Sequence, residues 1–121
     1  MGTCDVRADV VANRLYVTLK GFSSDAEMQS HIQRVSAEVR KLKSGFIMIS
    51  DISQMKPATP AGTAMLQEIM KLYKQQGIAR IIRVVGEDVI AKGQFNRVSK
   101  EAGIPVDYVN TLPEAEKLAA A

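Results

Sequence analysis

One feature constrains this chain more than any other: its hydrophobic period keeps switching. Short apolar or β-branched runs alternate with longer runs whose apolar residues return every three or four positions. RLYVTLKG places Leu15, Val17 and Leu19 on one face and Tyr16, Thr18 and Lys20 on the other, the period of a strand. The next run, SSDAEMQSHIQRVSAEVRKLKSG, spaces Met28, Ile32, Val35, Val39 and Leu42 as a helix does. FIMIS is continuously apolar, as a buried central strand is. TPAGTAMLQEIMKLYKQQG, ARIIRVVG, EDVIAKGQFNRVSKEAG, PVDYV and TLPEAEKLAA continue the alternation. With CDVRADVV pairing ahead of RLYVTLKG as a hairpin, the predicted order is ββαβαβαβα.

That order dictates an α/β architecture. The helical connections are long enough to join parallel strands, and strands added in sequence keep their crossovers on one side. The expectation is a single mixed sheet with an N-terminal hairpin, parallel crossovers and helices mainly on one face, the other face only partly covered. Local signals punctuate the elements. Ser24 and Glu27 form a capping box, Thr59 and Pro60 start the second helix, and Thr111 with Glu114 starts the last. Gly45 and Gly77 provide helix exits. Arg80 and Arg83 point to opposite faces, which predicts incomplete cover toward the strand ends. His31 adjoins the apolar stripe and reads as a boundary or surface residue.

The 121 residues fit a single domain, 1–121, and 46% hydrophobic content is that of a chain that folds. No apolar run approaches the roughly 18 residues of a membrane helix, so membrane insertion is not expected. MGTCDVR lacks the apolar stretch of a secretory signal, and Val6 breaks the myristoylation pattern. The expected location is the cytoplasm. Cys4, the single cysteine, is placed in a frayed end, and one histidine cannot build a His-rich metal site. A net charge of +3 comes without a dense Lys/Arg block or interleaved aromatics, so nucleic-acid binding is not expected.

The segment DISQMKPATPAG, residues 51–62, collects polar groups where a strand hands over to a helix. An enzyme reading would use Asp51 with the hydroxyls of Ser53, Thr59 or Thr63, but a hydroxyl nucleophile needs a base beside it. Gly62 near a helix start could expose N–H groups to an anion, yet neither GxxxxGK[ST] nor GxGxxG is present. The simpler reading gives Asp51 and Ser53 to turn hydrogen bonds and Thr59 to the helix cap. No cofactor and no metal are expected.

Asp51-Ile52-Ser53 at the junction, within this element order, resembles a STAS domain, the fold of the bacterial anti-sigma factor antagonists, and is similar to the SpoIIAA-like or STAS/SEC14-like group. The resemblance spans almost the whole chain. Such domains commonly carry Asp-Ser-Ser-Gly at the helix start, which falls here on Thr59, Pro60, Ala61 and Gly62. Only Gly62 is kept, and Ala61 stands where antagonists are phosphorylated. The resemblance implies a non-enzymatic regulatory module that binds a protein partner, a regulatory kinase or another component of such a system. The expected interaction loop and helix comprise Asp51, Ser53, Thr59, Ala61, Gly62, Thr63, Gln67 and Lys71. Two alternatives stand beside it: a module binding a lipid or small apolar molecule among its methionines, and an enzyme with its site at residues 51–63. Exposed apolar area on the less covered sheet face would support a weak homodimer.

Overall fold

A computed structural model describes all residues, Met1–Ala121. The elements are β1 (Thr3–Asp9), β2 (Arg14–Gly21), α1 (Asp25–Val39), β3 (Ile47–Met55), α2 (Pro60–Gln76), β4 (Arg80–Val84), α3 (Val89–Ala102), β5 (Val106–Val109) and α4 (Leu112–Ala120). The sheet order is β1-β2-β3-β4-β5, antiparallel between β1 and β2 and parallel thereafter. The expected mixed sheet with hairpin and parallel crossovers is therefore present.

The main core lies between the sheet and α1, α2 and α3. Leu15, Val17, Met48, Ile52 and Ile81 meet Val35, Leu66, Ile69, Tyr73, Phe95 and Val98 there. α4 follows β5 in the chain. It packs on the opposite face, setting Ala115 and Ala119 against Ile49, Ile82 and Val84. Two alanines let the helix backbone approach closely, and they make the second core thin. The rest of that face, over β1 and β2, is polar. Arg7 lies over the Tyr16 ring at 4.4 Å, and Glu116 takes hydrogen bonds from Arg14 and Tyr16.

Several local readings are corrected. α1 ends at Val39, and Gly45 sits in the following turn at φ 88°, donating to Gly77 O. β3 continues past Ser50 to Met55: it takes in one extra residue between the Thr18–Asp51 and Lys20–Gln54 pairs, and its pairing with β2 resumes through Gln54 and Met55. Cys4 is buried within β1, and burial raises its thiol pKa to about 11, so it is inert rather than frayed. Arg83, expected near an incompletely covered end, is wholly buried. It lies on the helix-facing side of β4, 5.2 Å from the Phe95 ring centroid, and donates to Phe95 O. Its Nε and Nη2, with Ser50 Oγ and Ser99 Oγ, have no hydrogen-bond partner.

Candidate functional site

The C-terminal ends of the parallel strands gather four connections: residues 22–24, 56–59, 85–88 and 110–111. In open α/β sheets this end is where loops are free to carry function. The 56–59 segment is held from three directions. Lys56 N donates to Gly21 O behind β2. Thr59 Oγ1 donates to Asp25 Oδ1 at 2.5 Å, tying the start of α2 to α1. Ala58 donates its N–H to Gln94 Oε1 at 2.8 Å and accepts from Gln94 Nε2 at 3.0 Å, tying the loop to α3. The loop is thus a fixed shape rather than a free strap.

The polar residues of the junction are consumed by this construction. Asp51 Oδ1 accepts from Ser53 N at 3.0 Å and Ser53 Oγ at 2.7 Å, still within β3. Thr59 Oγ1 also accepts from Gly62 N at 2.9 Å, the N-cap bond of α2. Gly62 is buried, and a Cβ there would stand 3.2 Å from Thr59 Oγ1 and 3.7 Å from Met28 Cγ. Gly86 is tighter: its Cβ would stand 2.1 Å from Ser53 O, so the loop after β4 can lie against β3 only as glycine. Thr63 is buried beneath the first turn, whereas Ala61 is exposed on it. Asp51 and Ser53 therefore support the loop from within the strand, and Ala61 faces solvent.

Gln67 and Lys71 are exposed on α2, away from the loop tip. Gln67 reaches Glu101 of α3 at 3.4 Å, and Lys71 pairs with Glu68 at 3.0 Å. Met70 and Tyr73 are buried, which removes them from any docking face, and Met65 is half-buried. The apolar groups exposed around the junction come from elsewhere: Phe22 after β2, and Val89 and Ile90 in the first turn of α3, with 47%, 76% and 63% exposure. The α3 turn is built by Asp88, whose carboxylate caps Ile90 N and Ala91 N while the Val89 and Ile90 side chains stay outside. The sequence gives one signal for this: Val-Ile directly after an N-capping aspartate, ahead of the helix's own apolar stripe.

His31 is buried rather than at the surface, and its Nε2 lies 3.0 Å from Ser23 Oγ. Burial and the nearby Arg34 charge hold its pKa below the ordinary value of 6.5. It lines a small, mainly apolar cavity of about 20 Å³ with Met28, Ser50, Met70, Tyr73 and Phe95. That space holds about one water molecule. It lies on the far side of the sheet from Asp51, so the histidine and the junction carboxylate are not brought together. No group of three or more His, Cys, Asp or Glu side chains assembles in a metal-ligating arrangement.

No family model matches the chain, and no curated protein matches it. Solved structures do. An uncharacterised protein of the DUF3478 family with a SpoIIAA-like fold, from Shewanella loihica, superposes with a TM-score of 0.71 at 6% identity, over 98% of this chain and 93% of its own. An anti-sigma factor antagonist from Mycobacterium paratuberculosis superposes with a TM-score of 0.59 at 16% identity, over 100% of this chain and 96% of its own. At such identities the likeness is one of architecture: the chain has the STAS-like, SpoIIAA-like fold.

Proposed function

We propose that this is a non-enzymatic regulatory domain that docks a protein partner on the C-terminal end of its parallel sheet. The observation carrying the reading is the exposure of Phe22, Val89 and Ile90 around a loop fixed by Thr59, Ala58 and Gln94. Apolar side chains held in solvent on a rigid frame lose little conformational entropy on binding. Ala61, on the exposed first turn of α2, lies within the same end. Gln67 and Lys71 extend the surface along α2 as its polar rim.

The fold shared with an anti-sigma factor antagonist favours a partner from the same kind of system, a regulatory kinase or another STAS component. Docking here is constitutive rather than phosphate-switched, because Ala61 has no hydroxyl. Thr59 spends its own as both cap and donor to Asp25, and Thr63 is buried. The apolar-ligand reading has less support, since the apolar cavity of about 20 Å³ beside His31 is far below the roughly 300–1,000 Å³ of ligand pockets. The enzyme reading has less as well, because Asp51 is engaged by Ser53 and faces away from His31.

Calorimetric titration against proteins encoded beside the gene tests the reading. A61E and V89S/I90S are expected to weaken binding by about tenfold or more, while K117A, on α4, leaves it unchanged. Intact-mass analysis after incubation with a candidate kinase supplies the second arm. Stoichiometric phosphate on Thr59 or Thr63, coupled to altered affinity, would overturn constitutive docking; unchanged affinity in both surface variants would overturn the surface itself.

A further inference from the structure

The sheet has two edge strands, β1 and β5; the outward backbone groups of β1, the longer of the two, can be assigned. Ile47 N donates to Asn13 O and Lys56 N to Gly21 O, so odd-numbered β2 residues turn their backbone toward β3 and even-numbered ones toward β1. Lys20, Thr18, Tyr16 and Arg14 pair with Thr3, Asp5, Arg7 and Asp9. Cys4, Val6 and Ala8 therefore point their N–H and C=O groups away from the sheet, the arrangement that recruits another strand.

Two side chains from α1 reach over this edge. Arg34 Nη1 donates to Cys4 O at 2.7 Å, and Glu38 Oε1 accepts from Ala8 N at 3.1 Å. One helix thereby occupies one acceptor and one donor of the edge, and leaves the N–H and C=O of Val6 open between them. Consider a second copy laid antiparallel with Val6 opposite Val6. Cys4 then faces Ala8 of the other copy, and Asp5 faces Arg7. The opposed charges are complementary on both sides of the two-fold, whereas centring on Arg7 would set Arg7 against Arg7 and Asp5 against Asp9. In the Val6-centred register the bond from Ala8 N–H to Cys4 C=O is the one that Arg34 and Glu38 obstruct.

We infer that β1 is a latent pairing edge for a second copy of this chain, centred on Val6 and held shut by Arg34 and Glu38. The pairing would join two sheets edge to edge without touching the end of the sheet assigned to partner docking. Release of the guards frees one Ala8–Cys4 hydrogen bond on each side of the two-fold.

Sedimentation velocity over a wide concentration range tests this on the wild-type chain and on R34A/E38A. Two added hydrogen bonds strengthen self-association by about thirtyfold. V6P in that background removes the central N–H without disturbing the β1–β2 ladder, and is expected to restore the monomer. D5R is expected to do the same, and D5R/R7D to recover pairing with the charges exchanged. A folded R34A/E38A that keeps the monomer mass at the highest concentration overturns the inference, as does association that survives V6P. Where R34A/E38A does not fold, hydrogen exchange on the wild-type chain decides. The guarded Ala8 amide is expected to exchange slowly and the Val6 amide rapidly in dilute solution, with Val6 gaining protection as concentration rises. Equally rapid exchange at both amides, unchanged by concentration, overturns it.

Discussion

Arg83 brings a guanidinium into the core between Phe95 and the strands, with one hydrogen bond to Phe95 O and two nitrogens unanswered. Burial lowers its pKa from the ordinary 12.5, the sign of a charge the fold holds at a cost. An apolar chain of similar length removes it, and R83M is expected to stabilise the fold by about 1–4 kcal/mol in urea unfolding. A lower midpoint would mean that Arg83 holds partners, such as internal water, worth more than its desolvation. His31 gives a pH signature of known sign. Its folded pKa lies below 6.5, so the unfolded chain takes up the proton first. Its contribution is full above pH 6.5 and is lost as pH falls through that value toward the folded pKa. Urea midpoints measured from pH 7.5 to 5 are expected to fall for the wild type and to fall less for H31Q. Glu27 and Glu38, also held below their ordinary 4.5, act only at lower pH. Neither residue's burial was legible in the sequence. A charged side chain in a strand reads as exposed, and a lone histidine beside an apolar stripe carries no sign of the Ser23 hydroxyl that receives it.

At the scale of elements, capping was the most legible feature. Ser24 with Glu27, Thr59 with Pro60, and Thr111 with Glu114 all form their caps as the short-range pattern requires. These signals work because donor and acceptor lie within one turn. Strand length was less legible: Asp51-Ile52-Ser53 reads as a loop, but β2 continues beside it and supplies ladder partners. The docking end was half legible. Ala61 and Gly62 marked the loop, but Val89 and Ile90 come to its side only through the parallel β3–β4 pairing and the close approach at Gly86. Two substitutions separate these contributions. T59A loses the cap and the Asp25 tie, and is expected to cost about 1 kcal/mol or slightly more in thermal or urea unfolding. G86A forces a Cβ against Ser53 O and is expected to cost about 1–3 kcal/mol, with amide shift changes in β3 and α3. A G86A protein as stable as wild type would show that the two loops can separate freely.

Across the whole molecule, the sheet order follows the chain order, and this is why the fold class could be read from alternating hydrophobic periods. Each crossover needs only local patterning and one-directional growth. The face chosen by α4 has no such local determinant. Deleting residues 111–121 uncovers Ile49, Ile82 and Val84 while leaving the main core intact. The truncated chain is expected to keep its far-ultraviolet circular dichroism, bind more hydrophobic dye and sediment as larger species. Undiminished solubility without dye binding would count against the second core as a seal. Because neighbouring elements in the chain are neighbours in space, the protein can assemble in the order in which it is synthesised. β2, α1 and β3 can pack before β4 exists, and each later unit adds to a formed edge. α4 alone breaks this progression, since it emerges after all the strands it covers. On the ribosome, the apolar strip of β3 and β4 therefore stays bare until the helix after β5 has left the exit tunnel, and the nascent chain is most exposed to aggregation in that interval.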